Sequence, residues 1–220
     1  MSKNLLLEIG TEEMPANIMS GVVDQLRVLA ENAFGENRIS LKEITVYATP
    51  RRLAVLVKEA ADRQPDEEVK KRGPSIKAAF DEDGNPTRAA QGFARGQHID
   101  PSELIREGEY TWAHVVNEGK KIEDILPSLF TSLITGLNFT RSMRWADEEA
   151  RFIRPIRWIV ALCGSEVVPM EFAHVKSGRI SRGHRFLCKE DVTIESPETY
   201  KETMRKASVI VDQDERRDMI

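Results

Sequence analysis

The chain begins with an apolar run that ends at a glycine, and a helical pattern follows it. Residues 5–10 are apolar at most positions, as in a buried strand. After Pro15, apolar side chains recur three or four residues apart, which predicts an amphipathic helix: Ile18, Val22, Leu26, Leu29 and Ala33. Two further apolar segments, 44–47 and 53–57, are separated by a turn at Ala48-Thr-Pro50 and predict a pair of strands.

The middle of the chain, from about 62 to 108, lacks long apolar segments. Gly and Pro are frequent there and charges of both signs are interspersed, so we expect a loop-rich excursion that carries short helices. Asn85-Pro86 is a typical helix start and predicts a helix over 87–95. Strand-like alternation resumes at 110–117, where Tyr110, Trp112 and His114 share one face. We expect that face, with a hydrogen-bonded His114, in the core.

The last third of the chain predicts a helix, a hairpin and a mixed tail. Apolar spacing over 122–137 predicts a helix in which Pro127 causes a kink or marks the first turn. Segments 156–163 and 167–175 flank Gly164-Ser165, a pair typical of a type II′ turn, although Pro169 confines the second strand to an edge or a bulge. Residues 191–220 follow as a β-α-β-α tail, with its strands at 192–194 and 210–211.

These elements predict an α+β fold: a mixed or antiparallel sheet with packed helices and a loop-rich helical excursion in the middle. We expect one α+β domain over 1–190, with the insertion at about 62–108, and the tail over 191–220. The chain stops at Ile220 without Gly, Pro or another capping signal. We therefore expect the tail to continue into residues absent from this sequence.

Composition narrows the class of protein. Of 220 residues, 40% are hydrophobic and 31% are charged, which is typical of a soluble globular protein. The N-terminus has neither a long apolar stretch nor a small-residue cleavage site, so a cytoplasmic location is expected. Cys163 and Cys188 are isolated thiols without metal-ligand spacing, which argues against a zinc site and a disulfide framework. No metal ligands are predicted.

Charge is strongly segregated along the chain. Residues 141–189, here the basic block, hold ten Lys or Arg against five acids, a charge of +5 in a chain of net charge -4. The block repeats Arg-x-x-Arg-Trp at 141–145 and 154–158, a mixture of cations and aromatic rings typical of RNA-binding surfaces. The candidate tRNA-binding or subunit-interface residues are Arg141, Arg144, Trp145, Arg154, Arg157, Lys176, Arg179, Arg182, His184 and Arg185.

Two other interpretations of this block stay open. Its arginines could simply pair with the acids at 147–149 and at Glu171, and Trp158 shares a predicted strand face with Ile156 and Val160, which places it in the core.

Candidates for chemistry are few. Glu12 and Glu13 lie between a strand and a helix, where catalytic carboxylates are often found, although they also suit the positive N-terminus of the helix. His184 lies in a predicted loop among arginines, which favour its neutral form. The chain contains neither a P-loop nor a Gly-x-Gly-x-x-Gly motif.

Several motifs, in the right order and across nearly the whole chain, resemble the N-terminal region of the bacterial glycyl-tRNA synthetase beta subunit. They are Leu7-Glu-Ile-Gly-Thr-Glu-Glu-Met-Pro15, Ala48-Thr-Pro-Arg-Arg-Leu-Ala-Val55, Gly73-Pro74 with Ala89-Ala-Gln-Gly-Phe-Ala-Arg95, Met143-Arg-Trp145, Phe152-Ile-Arg-Pro-Ile-Arg-Trp158 and Ser181-Arg-Gly-His-Arg-Phe186. The region also resembles the editing module of the phenylalanyl enzyme's beta subunit.

The resemblance implies a subunit of an aminoacyl-tRNA synthetase with two alpha and two beta subunits. ATP and magnesium are then expected on the alpha subunit, which activates glycine, and no cofactor is expected in this segment. The partners implied are the alpha subunit and tRNA, without a membrane. The resemblance carries no catalytic residue onto this chain.

Three roles follow as hypotheses. The preferred one is a non-catalytic segment that contributes tRNA contacts or subunit packing through the basic block. The alternative is a hydrolytic editing module that clears mischarged tRNA, with His184 and Glu12 or Glu13 as general-base candidates. In the third, the basic block docks on an acidic surface of the alpha subunit.

Overall fold

The structure is a computed structural model, and it describes residues 2–144 and 150–220. These residues form two compact units. The main unit comprises the described residues up to Gln64 together with 120–220, and the inserted unit comprises Pro65–Gly119. Residues 191–220 are part of the main unit.

Helices and short strands alternate with loops along the described residues. The strands are β1 (Ser2–Thr11), β2 (Glu43–Thr49), β3 (Arg52–Ala61), β4 (Glu67–Ser75), β5 (Ile105–Glu107), β6 (Tyr110–Asn117), β7 (Ile156–Cys163), β8 (Glu166–Val167), β9 (Glu171–Phe172), β10 (Val175–Gly178), β11 (Ile180–Arg182) and β12 (Asp191–Thr193). The α-helices are α1 (Met19–Glu36), α2 (Ile76–Ala79), α3 (Arg88–Gly96), α4 (Ile122–Gly136), α5 (Tyr200–Lys206) and α6 (Gln213–Asp218). Short 3₁₀ helices occupy Ala16–Ile18, Pro101–Glu103 and Pro197–Thr199.

The main unit is built on a mixed seven-stranded sheet in the order β2-β3-β1-β7-β10-β9, with β8 paired to β7. All pairings in it are antiparallel except that of β10 with β7. β1 is central and its side chains are buried on both faces of the sheet, which explains why its apolar run is nearly continuous. The predicted α+β class and the mixed sheet are confirmed.

One face of this sheet, here the helical face, is covered by α1 and α4. Leu5, Leu7 and Ile9 of β1 point to it and pack with the apolar stripes of both helices. Both helices begin and end near the residues that their 3.6-residue periodicity predicts, and Pro127 lies inside α4. This face is an apolar core of the ordinary kind, built from Leu, Ile, Val and Phe.

The opposite face, here the tail face, is covered by residues 180–211. Leu6, Trp158 and Val160 pack there against Ile194, Tyr200 and Met204. The predicted tail strand at 192–194 and the helix at 213–220 are present as β12 and α6, but the structure assigns no strand to 210–211. Val211 is nevertheless buried, in the apolar cluster of the tail face.

The predicted hairpin of the basic block forms only in part. β7 turns at Gly164, which has the positive φ of 59° that this turn needs, and pairs antiparallel with β8. β8 then ends at Val167, two residues before Pro169, and the chain returns to the sheet as β10, parallel to β7. The expectation of one strand over 167–175 was therefore wrong, because Pro169 cannot donate to a ladder.

The inserted unit is a three-stranded sheet in the order β4-β6-β5 with α2 and α3. Its core is small and rich in alanine, with Ala79, Ala90, Ala94, Leu104 and Ala113. Thr111 and Ala113 of β6 are buried, so Tyr110 and His114 point the other way and are exposed. The prediction of a core His114 was wrong, because the small side chains of β6 occupy the inner face.

Within the two described stretches, no helix is long and apolar enough to cross a membrane.

Candidate functional site

A buried carboxylate organises the tail face. Glu8 of β1 is fully buried, and its carboxylate accepts hydrogen bonds from Trp158 Nε1, Ser181 Oγ and Tyr200 OH, each at 2.5 Å. A guanidinium nitrogen of Arg52 lies 3.6 Å from the same carboxylate. Such a charge is tolerated in a core only when its oxygen atoms have donors and a counterion. Glu8 has both, and they come from four separate segments of the main unit.

Two of these partners fix the geometry further. Arg52 is 2% exposed and donates to the backbone carbonyl of Arg182 at 2.6 Å, which ties β3 to β11. Burial, together with the negative charge of Glu8, raises the pKa of Tyr200 well above its ordinary value. The phenol therefore keeps its proton and stays a donor to Glu8.

Trp158 lies in a slot made by a glycine. Arg52, Gly10 and Trp158 form one row across β3, β1 and β7. A Cβ atom at Gly10 would lie 1.9 Å from the indole, so only glycine lets the ring lie over the strand. Three guanidinium groups lie 5.4–5.8 Å from the ring centroid, those of Arg51, Arg52 and Arg182. The prediction that Trp158 belongs to the core is confirmed, since the ring is buried.

Two clefts adjoin this slot. The larger, here the arginine cleft, has a volume of about 420 Å³ and is lined by 49–52, 183–186, 208–210, Glu13 and Arg216. The smaller, here the Lys189 cleft, has a volume of about 250 Å³ and includes Arg182, Lys189, Glu190 and Asp191. Arg51 and Arg185 line both clefts. The main unit thus concentrates positive charge around one edge of the tail face.

The turn after β11 is tightly fixed. His184 Nδ1 accepts hydrogen bonds from the backbone N–H groups of Phe186 and Leu187, at 3.2 and 3.3 Å. Nδ1 of His184 is therefore occupied as an acceptor within the turn. A Cβ at Gly183 would lie 2.6 Å from the Cys188 side chain, so the turn also requires glycine there. It presents two large apolar side chains to solvent, since Phe186 is 74% exposed and Leu187 is 73% exposed.

Three of the predicted arginines are in ion pairs. Arg157 lies 3.3 Å from Glu12, Arg185 lies 3.1 Å from Glu13, and Arg179 lies 3.6 Å from Glu195. These acids differ from those that the sequence suggested as partners. Two of them are the carboxylates considered as general bases, and both are exposed and compensated by an arginine. Among the described residues, no group of three or more His, Cys, Asp or Glu side chains could hold a metal ion.

Comparison with known proteins decides the family. A family model described as "Glycyl-tRNA synthetase beta subunit" matches residues 5–220. The chain belongs to the glycyl-tRNA synthetase beta subunit family. The glycine–tRNA ligase beta subunit of Desulfitobacterium hafniense is 49% identical over the whole chain, and those of Natranaerobius thermophilus and Halothermothrix orenii are 46% and 42% identical. The chain spans 32% of the length of each of these relatives. The resemblance noted from the motifs is confirmed.

The remaining candidates of this beta-subunit segment are dispersed. Arg154 is half-buried and donates to the backbone carbonyls of Glu13 and Ile153, while Arg141, Arg144 and Lys176 are exposed. Trp145 and the acids at 147–149 lie outside the described residues. Of the nine candidates that the structure describes, Arg182, His184 and Arg185 line the two clefts and the other six do not.

Sequence reasoning missed Arg51 and Phe186 as site residues of this family member, and it missed Glu8 and Tyr200 as the residues that hold the site together. Arg51 and Arg52 stood within a quoted motif, and two adjacent arginines at the start of a strand were the available signal. Arg52 opens β3 and is buried, whereas Arg51 lies in the turn before β3 and lines both clefts.

Proposed function

We propose that this chain is a non-catalytic part of a glycine–tRNA ligase beta subunit and contacts the phosphate backbone of tRNA through Arg51, Arg182 and Lys189. Two observations support the proposal: the chain belongs to this family, and cations line the two clefts. Glycine activation, with ATP and magnesium, would belong to an alpha subunit that assembles with the beta subunit in the cytoplasm.

One observation supports this assignment above the others. Arg51, Arg182 and Lys189 line the Lys189 cleft, and in the described part of the chain no carboxylate lies within 4.0 Å of their charged groups. Glu190 and Asp191 line the same cleft but form no ion pair with them there. Cations that lack a protein counterion are the ones that gain most from a phosphate.

The orientation of two of these cations supports the same role. The guanidinium groups of Arg51 and Arg182 lie near the Trp158 ring, which is itself held by Glu8. Side chains that are already ordered lose less conformational entropy when they bind. We therefore expect this pair to contribute more to affinity than the exposed arginines at 141 and 144.

No contact among the described residues supports the alternative function, hydrolytic editing of mischarged tRNA. His184 and Glu13 both line the arginine cleft, but Nδ1 of the histidine is used by the turn and the glutamate pairs with Arg185. Nor does any described serine or cysteine hydrogen-bond to His184 as a nucleophile would. Editing stays a prediction of the sequence.

The test is the salt dependence of tRNA binding by the beta subunit assembled with its alpha subunit. Arg51→Gln, Arg182→Gln and Lys189→Gln should each weaken binding and lower the slope of log K against log salt by about one. Arg157→Gln is the matched control, because Arg157 belongs to the same basic block but lines neither cleft.

Unchanged slopes in all three variants would contradict the phosphate contacts. Loss of assembly with intact RNA affinity would instead support docking on an acidic surface of the alpha subunit.

A further inference from the structure

The arginine cleft has the size and lining of a small-ligand site. Its volume of about 420 Å³ falls within the roughly 300–1,000 Å³ of such sites. Four arginines line it against one carboxylate, that of Glu13. Its ligand is therefore expected to carry negative charge and to be no larger than about one nucleotide.

The four arginines divide into structural and available groups. Arg52 donates to the backbone of Arg182, and Arg216 donates to the carbonyls of Ile210 and Ala48, each at 2.6 Å. Arg51 has no carboxylate within 4.0 Å among the described residues. Arg185 pairs only with the exposed Glu13, and an exposed pair contributes little. Arg51 and Arg185 are thus the two cations that can face an anion.

Phe186 gives the cleft a feature that a phosphate site alone does not need. Its ring is 74% exposed and lines the cleft, and the Arg185 guanidinium lies 5.6 Å from its centroid. The exposure does not come from a loose turn. Besides the two bonds to His184 Nδ1, the backbone N–H groups of His184 and Cys188 donate to Ala207 and His184, both at 2.9 Å. A fixed, exposed aromatic ring beside arginines is the composition of sites that stack single-stranded bases.

We propose that the arginine cleft binds one unpaired nucleotide of RNA, with its base stacked on Phe186 and its phosphate on Arg51 and Arg185. The inference rests on the proposed tRNA contacts and names the part of the RNA that is bound here. A base within a duplex already stacks on its neighbours, so only an unpaired base can offer its face to Phe186.

The test compares two RNA probes on the whole chain: a short single strand that carries the fluorescent base 2-aminopurine, and a blunt-ended duplex of equal charge, which has no unpaired base. Wild type should bind the single strand more tightly and quench the 2-aminopurine, because stacking quenches it. Phe186→Leu should weaken single-strand binding about tenfold or more and abolish quenching, while duplex binding stays unchanged. Phe186→Tyr should behave as wild type.

Leu187→Ala is the matched control, because Leu187 is equally exposed and does not line the cleft. Equal affinities for the two probes, or a Phe186→Leu variant that binds as wild type, would overturn the nucleotide site and leave the phosphate contacts standing. A loss with Leu187→Ala as large as that with Phe186→Leu would overturn it in favour of apolar docking. Binding of neither probe would end both proposals.

Discussion

The two faces of the central sheet are buried by different kinds of side chain. The helical face is closed by apolar side chains of α1 and α4, whereas the tail face encloses Glu8 and Arg52 beneath segments from the far end of the chain. Both faces contain side chains of β1, since Leu7 points to one face and Glu8 to the other. Apolar side chains pack well when their shapes are complementary. A buried charge requires, in addition, that each of its hydrogen-bond donors is correctly positioned.

This difference explains where the clefts are. Arg51 and Arg182 are positioned by Trp158, and Trp158 and the backbone of Arg182 are positioned by Glu8 and Arg52. The tail face therefore combines stability with the placement of cations, whereas the packing of the helical face is apolar.

The largest effect is expected from removal of the buried carboxylate. Glu8→Ala leaves Arg52 without a counterion and three donors without an acceptor, so it should lower the free energy of unfolding by about 3–5 kcal/mol. Urea unfolding followed by circular dichroism measures this loss.

Glu43→Ala is the control, because Glu43 pairs with Lys58 at an exposed edge of the same sheet. A Glu8→Ala midpoint close to that of Glu43→Ala would mean that the two faces do not differ in the way described.

A smaller effect, with a pH signature, is expected at Tyr200. Tyr200→Phe removes one hydrogen bond to a charged acceptor and should cost about 1.5–3 kcal/mol at neutral pH. Because the pKa of Tyr200 is raised above its ordinary value of 10.0, its proton favours the folded state, and this stabilisation is lost as the pH rises past 10. Wild type should lose stability between pH 10 and 11 more steeply than Tyr200→Phe. Parallel curves for the two proteins would contradict a buried, protonated phenol.

The smallest effect is expected in the reaction rates of the two thiols, one of which lies on each face of the sheet. Cys163 is buried in the core of the helical face, while Cys188 is half-buried against that of the tail face. Burial raises the pKa of Cys163 to about 11, so about one part in a thousand is thiolate at pH 8. A chromogenic disulfide reagent should therefore modify Cys188 at least about tenfold faster than Cys163.

The Cys188→Ser variant assigns the two kinetic phases, since it should retain only the slow one. If the two thiols reacted at the same rate, the predicted difference in burial between the two faces would be wrong.

The sequence predicted the helical face far better than the tail face. The periodicity of α1 and α4 and the apolar run of β1 are local signals, and the structure reproduces them. The pairing of Glu8 with Trp158, Ser181 and Tyr200 joins residues up to 192 positions apart, and no local pattern encodes it. The arginines at 157, 179 and 185 were recognised as cations, but their pairing with Glu12, Glu195 and Glu13 depends on tertiary structure.

Glu8 also has a consequence for how the chain is made. Tyr200, the last of its donors, follows it by 192 residues, a separation that takes roughly 10 to 40 s to translate. During that interval β1 has left the ribosome with a carboxylate that cannot yet be enclosed. The tail face of β1 therefore stays without its cover until residues 180–200 have been synthesised, whereas α1, which packs on the other face, follows β1 directly.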